Sequence, residues 1–599
     1  MVLFFEGKSS QVLAVHSKHE LAKSDINKLE WLFGDAKLIA SQTVEGYFVG
    51  PRREMITPWS TNAVEISQNM GISGIIRIEE FFKVADSKAG FDPMLQHLYE
   101  GLNQNLFFID KTPEPIIHIK DIAAYNKQEG LALSDEEVDY LNNLAERLGR
   151  PLTDSEVFGF SQVNSEHCRH KIFNGSFVID GVERESSLFQ LIKRTSRENH
   201  NYLVSAYKDN VAFVQGPSAI QFAPKTQDKA DFFEEKPFES VISLKAETHN
   251  FPTTVEPFNG AATGTGGEIR DRLAGGKASL PLAGTAVYMT SYPRPEGGRE
   301  WEDGMPERPW LYQTPEQILI KASNGASDFG NKFGQPLITG SLLTFEHFEN
   351  AKKFAFDKVI MLAGGIGYAK KRDALKEEPS AGDDVIVMGG DNYRIGMGGG
   401  AVSSVATGEY DNAIELNAVQ RSNPEMQKRV MNAIRAMAES DDNPVISIHD
   451  HGAGGHLNCL SELVEATGGT IYLDKLPVGD PTLSAREIAG NESQERMGLV
   501  LRKKDTERLK RVADRERSPM YVVGETTGDM HFKFVDDNGK APIDWQLADM
   551  FGNPPKTVMN DKTLDERYAP LSYDSKLIKK YIERVLQLEA VATLFLYTF

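Results

Sequence analysis

Short apolar runs alternate with stretches of helical periodicity over residues 1–125. QVLAV (11–15), GYFVG (46–50) and IIRIEEFFKV (75–84) predict strands. SDINKLEWLF (24–33) and STNAVEISQNMG (60–71) predict helices, the second stopped by Gly71. The spacing predicts a small α+β sandwich, read as a structural or docking domain. Residues 126–180 predict a helical linker domain. Ser134 and Glu137 form a capping box ahead of an apolar face of Val138, Leu141, Ala145 and Leu148, which Gly149 and Pro151 end. Thr153 and Glu156 open a second helix in the same way, running toward a polar cluster at 164–171. Residues 181–375 hold the strand-like runs VISLKAE (241–247), TAVYMTS (285–291) and KVIMLAGG (358–365). The pattern restarts over 376–540, with strands at 385–390 and 445–450 either side of a helix at 426–440. Two α/β lobes fit this better than one long sheet. Residues 541–599 read as a connector ending in a helix over 575–592 and an abruptly apolar tail, TLFLYTF.

Composition narrows the classes. At roughly 100–200 residues per domain, 599 residues suit several domains. The net charge of −20 argues against a nucleic-acid-coating surface. Cys168 and Cys459 are the only cysteines, so a disulfide framework is excluded and a reducing compartment expected. The N-terminus lacks the basic start and apolar core of a signal peptide, and no run approaches membrane-spanning length. A cytoplasmic chain with no membrane partner is expected.

The candidate chemistry clusters. Lys245, Glu247 and His249 alternate along a strand and would share one face. Gly260, Ala261, Ala262, Thr263, Gly264, Thr265, Gly266, Gly267, Glu268, Ile269, Arg270 and Asp271 follow. Such a run reads as a flexible loop whose backbone N–H groups would cradle phosphate, or else as a tight turn. It is no Walker A motif, because no Gly-Lys-Ser/Thr follows. Arg270 could fork onto a phosphate, and Glu247 and Asp271 are hard oxygen donors suited to Mg2+. Asp450, at a strand end before the glycine turn HGAGGH, reads as another metal- or phosphate-facing carboxylate. His449, His451 and His456 also suggest a metal, with the Asp450 reading favoured over it, whereas His167, Cys168 and His170 are poorly spaced for structural zinc.

These stretches, taken with TPWSTNA (57–63), TDSEVFGFSQVNSEHCRHK, SNGASDFGNKFGQPLITG, RIGMGGGAVSS, VQRSNPEMQ and NESQER, closely resemble the phosphoribosylformylglycinamidine synthase (FGAR amidotransferase) family, large multidomain type. The motifs stand in the family's order. The resemblance implies a small N-terminal domain, a helical linker and one pair of lobes of the aminoimidazole-ribonucleotide-synthetase type. It implies conversion of the FGAR formamide to an amidine, using ATP, Mg2+ and ammonia from glutamine. By position, His249 and His167 would be catalytic, and Lys245 with the run from Gly260 to Asp271 would hold ATP. Glu247, Asp271 and Asp450 would be Mg2+ ligands; Thr248, Asn250, Arg270, Gln420, Glu492, Ser493 and Gln494 would hold FGAR. His170 and Phe251 depart from the small-type pattern. The chain is expected to carry one synthase half without the glutaminase, and so to release no glutamate from glutamine. It would then be one subunit of a split enzyme, with a second chain supplying the other half, or a non-catalytic nucleotide-binding fragment. A kinase-like homodimer of the same lobe pair is the reading from another class.

Overall fold

The computed structural model describes residues 1–592 except 9, 92–95, 111, 296–297, 306–312, 350, 394–395, 397, 399–421, 493–494, 553 and 565–569. The chain divides into two compact units.

The smaller unit comprises Met1–Pro115 with Asp391–Arg394 and Pro477–Ser484. Its six-stranded antiparallel sheet is flanked by the helices Lys23–Leu32 and Pro58–Asn69. The TPWSTNA motif is structural here. Thr57 caps the second helix by accepting from the Ser60 N–H, and its hydroxyl donates to buried Glu79 at 2.7 Å. Glu79 in turn pairs with buried Arg77 at 3.0 Å, so the helix start is pinned to the strand Ile75–Val84.

The larger unit holds two lobes. One is a six-stranded sheet whose long central strand, Phe233–Thr248, pairs antiparallel with Ile360–Lys370. The other is a seven-stranded sheet that includes Asp384–Met388, Val445–Asp450 and Met497–Leu501. Ile543–Gln546 forms its edge, so chain beyond residue 540 completes this sheet. The linker helices Asp135–Leu148 and Asp154–Val163 open with the two capping boxes at Ser134 and Thr153. They have no core of their own: Leu141, Leu144, Val157, Phe160 and Val163 pack with Val385, Ile446, Leu460 and Trp545 of the seven-stranded lobe.

Three expectations need correction. The glycine-rich run from Gly260 to Asp271 is not a loop; it lies within the helix Pro257–Leu273, mostly buried. Its glycines serve close approach rather than flexibility. A Cβ on Gly260 would lie 2.4 Å from the Pro252 carbonyl group, and one on Gly264 would lie 2.9 Å from the His249 Cβ. The second linker helix stops at Val163; Ser165 caps a separate short helix, Glu166–Arg169, that carries the polar cluster. The helix expected over 575–592 is broken into a 3-10 turn Ser575–Leu577 and helices Ile578–Leu586 and Glu589–Ala592. Glu589 turns aside to pair with Arg299 and to accept from Thr344 Oγ1 at 2.6 Å. The tail TLFLYTF lies outside the described residues.

Candidate active site

The strand Phe233–Thr248 delivers Lys245 and Glu247 to the last turn of the helix Pro257–Leu273. There Lys245 Nζ lies 2.8 Å from Asp271 Oδ2 and 3.6 Å from Glu247 Oε2. Asp450 arrives from the other lobe, at the end of Val445–Asp450. Asn210 joins the two carboxylates: its Nδ2 donates to Asp271 Oδ1 at 2.9 Å and to Asp450 Oδ1 at 2.7 Å.

Three carboxylates face one lysine, and the electrostatics follow. Burial raises Glu247, and the Asp271 charge raises it further against the pull of Lys245. Burial and Asp271 push Asp450 up to about 6. Burial also works against ionised Asp271, but the Lys245 ammonium and the hydrogen bonds around it hold that carboxyl below its usual range. Lys245 keeps its charge because Asp271 and Glu247 outweigh its desolvation. Negative charge is thus in excess, and two of the three carboxyls resist ionisation without further cation.

His249 follows the strand directly. Its N–H donates to the Met361 carbonyl at 2.8 Å, and its own carbonyl accepts from Thr253 Oγ1 at 2.6 Å. Burial, with His167 and Arg270 beside it, lowers its pKa to about 3, so the imidazole is neutral at pH 7. His167 sits on the short helix Glu166–Arg169 and is exposed. Protein packed around the ring, more than the charges of His170 and Lys245, lowers its pKa. Thr248 is exposed at the strand end, and Asn250 Oδ1 accepts from the Met361 N–H at 3.3 Å.

Other expected contacts turn inward. Ala261, Ala262, Thr263, Thr265, Glu268 and Ile269 are buried packing residues of the helix. Arg270, 2% exposed, donates to Gln427 Oε1 at 3.0 Å, and Gln427 returns a hydrogen bond to the Gly266 carbonyl at 3.1 Å. The reading of this segment as a loop is therefore overturned, its backbone N–H groups being spent within a helix. Gly267, partly exposed, stands over Glu247. Buried Glu492 accepts from the Gly454 N–H at 3.1 Å, fixing the turn after Asp450. Gln420, Ser493 and Gln494 lie outside the described residues.

The remaining histidines pair locally. His449 ion-pairs with Glu462, which raises it well above its usual range despite burial. Arg496 Nη1 donates to His456 Nε2 at 2.6 Å, and His456 Nδ1 meets His451 Nε2 at 2.9 Å. Burial pushes the Cys168 thiol up to about 12, which disfavours thiolate ligation. Among the described residues no three His, Cys, Asp or Glu side chains converge as a ready metal site. The donor chemistry of Glu247, Asp271 and Asp450 nevertheless fits a hard divalent cation, with Lys245 on Asp271 and Asn210 on Asp271 and Asp450. Sequence reasoning missed Asn210, Gln427 and Glu462. All three are distant in sequence from the residues they touch and carry no motif.

Comparison with known proteins finds three domain models along the chain. The formylglycinamide ribonucleotide amidotransferase N-terminal domain matches residues 10–102, its linker domain 122–171, and the C-terminal domain of AIR synthase related proteins 380–537. The chain is 34% identical to phosphoribosylformylglycinamidine synthase of Dictyostelium discoideum over 96% of its own length and 46% of that protein. It therefore spans under half of that relative. A structure of T. maritima PurL complexed with FGAR is similar at 23% identity and a TM-score of 0.49, over 73% of this chain and 58% of that one. No described helix is long and apolar enough to cross a membrane.

Proposed function

Because this chain belongs to the formylglycinamide ribonucleotide amidotransferase family, we propose that its carboxylate–lysine–histidine cluster is an ATP-dependent site for converting the FGAR amide to an amidine with ammonia. The observation that carries this reading is the meeting of Lys245, Glu247 and Asp271 with Asp450 from the other lobe, beside a neutral His249. Glu247, Asp271 and Asp450 would hold Mg2+, which when bound neutralises phosphate charge. Lys245 would supply a fixed positive charge to the phosphates. Neutral His249 suits hydrogen bonding to the reacting amide, and a protonated imidazole there would meet the desolvation that holds its pKa down.

A second lobe pair would complete the site. The outward face of the six-stranded sheet favours this. Leu244 and Ile366, directly paired across two strands, are 40% and 41% exposed, and Leu343 on the edge strand is 37% exposed. Exposed apolar side chains on one sheet face are the usual mark of a docking surface. The partner would be a separate chain carrying the other half or a second copy of this one.

The test is turnover of the purified chain with FGAR, ATP, Mg2+ and ammonium chloride, with light scattering on the same sample. Ammonia-dependent phosphate release that rises with association supports both parts. Failure of FGAR and ATP to bind at any protein concentration sinks the catalytic reading.

A further inference from the structure

We infer that Asn210 is a positioning residue that holds the site together between cations, its amide standing as a neutral placeholder between Asp271 and Asp450. The inference rests on the reading that these carboxylates take a divalent cation. The two carboxylates come from different lobes, one from the helix Pro257–Leu273 and one from the strand Val445–Asp450. Side by side and buried, the two carboxyl groups can share a proton but disfavour ionising together, and the Asp271 charge raises Asp450. Asn210 Nδ2 donates to both, at 2.9 and 2.7 Å. The amide orientation follows from chemistry, since the Asp271 carboxylate, held ionised by Lys245, only accepts.

The turn that carries Asn210 is itself anchored to the larger unit at two further points. Asp209 Oδ2 accepts from the Gly276 N–H at 2.6 Å, just past the helix that bears Asp271. Asp209 Oδ1 pairs with Lys376 Nζ at 2.7 Å, at the start of the second lobe. Asn210 is thereby aimed by its neighbour, and its reach decides how closely the two carboxylates approach. Lys245 cannot replace it, because its ammonium serves Asp271 Oδ2 and Glu247. A cation that enters between Asp271 and Asp450 must take oxygens that the Asn210 amide now holds. The placeholder therefore stabilises the cation-free state and weakens cation binding by competition.

Asn210→Ala and Asn210→Ser in the full chain test this, by thermal unfolding in EDTA and in Mg2+ and by calorimetric titration with Mg2+ alone. The variants are expected to unfold at lower temperature in EDTA and to recover in Mg2+, so that the Mg2+-induced rise in Tm exceeds that of the natural chain. Mg2+ should bind the alanine variant about tenfold more tightly, the scale of a lost hydrogen bond to a charged group. The serine variant keeps a donor, falls between, and serves where the alanine variant does not fold. A drop in Tm that is equal with and without Mg2+, or weaker Mg2+ binding, overturns the inference and leaves the cation site standing. No Mg2+ effect in any protein, the natural chain included, removes the cation reading beneath it as well.

Discussion

Glycine plays two different parts along the helix Pro257–Leu273, and alanine substitution separates them. In a helix interior Gly→Ala is worth about 1 kcal/mol of propensity. At Gly260 the new Cβ would meet the Pro252 backbone at 2.4 Å, which side-chain movement cannot relieve. Gly260→Ala should therefore destabilise by about 1–3 kcal/mol, the usual scale of overpacking, read from urea midpoints. At Gly267 the obstacle is Glu247 Oε1 at 2.6 Å, the free end of a flexible side chain. Gly267→Ala should keep or raise stability while displacing Glu247, and so weaken Mg2+ binding in titration. A stable variant with natural Mg2+ affinity would contradict the placement of Glu247. The sequence shows that this run is rich in glycine. It does not show whether glycine there means a loop or a tight contact, because that depends on which backbone lies opposite.

The buried histidines belong to the same scale. Burial and Arg496 hold His451 and His456 well below the ordinary imidazole pKa. Unfolded, both titrate near 6.5, so below that pH the unfolded chain binds more protons than the folded one. The contribution of this pair should be full above about pH 6.5 and fall as pH drops, by about 1.4 kcal/mol per pH unit for each of the two. Urea midpoints at pH 7, 6 and 5 check this, and His456→Gln should reduce the slope by about one proton.

At the scale of elements, the helix Pro257–Leu273 joins the two lobes. Ala262, Ile269 and Leu273 share one buried cluster with Phe329 and Phe333 and with Ile386, Val430, Ile434 and Leu499. A buried polar knot fixes its rotation. Arg272 Nη2 pairs with Glu268 Oε2 at 2.6 Å, and Gln335 Nε2 donates to Glu268 Oε1 at 2.7 Å. Arg272→Met would leave Glu268 buried without its cation and should cost about 3–5 kcal/mol. Arg272→Met with Glu268→Leu should recover most of that loss, and a double-mutant cycle on unfolding free energies measures the coupling. The helix could not be read from the sequence as an amphipathic pattern. Its small residues and its charged Glu268, Arg270, Asp271 and Arg272 leave no continuous polar face, because it is enclosed on nearly every side and even the charges are buried.

At the scale of the whole molecule, the linker is part of a lobe's core. Phe160 is fully buried in the cluster that contains Val385 and Trp545. Phe160→Ala should cost about 3–5 kcal/mol and lower the unfolding temperature of the seven-stranded lobe along with the linker, followed by hydrogen exchange. An independently folding linker would lose protection alone. On the six-stranded sheet, Ile366→Glu alters an outward side chain. It should leave stability within about 0.5 kcal/mol, as surface changes do, yet abolish association and ammonia-dependent turnover together. Full turnover by a monomeric variant would contradict the docking of a second lobe pair.

By itself the sequence determined the local structure: the capping boxes at Ser134 and Thr153, the alternating strands, and the small N-terminal, linker and lobe composition of the chain. These follow from interactions within a few residues, where side-chain period and cap chemistry are decided. It also placed Lys245, Glu247 and His249 at one strand end, since that too is local. Only the tertiary structure decided that the glycine run is a helix, that Arg270 turns inward to Gln427, and that Asp450 meets Asp271 through Asn210. Those outcomes depend on contacts between segments tens to hundreds of residues apart. Burial and charge arise there from what stands opposite each side chain, which the neighbouring residues in the chain do not encode.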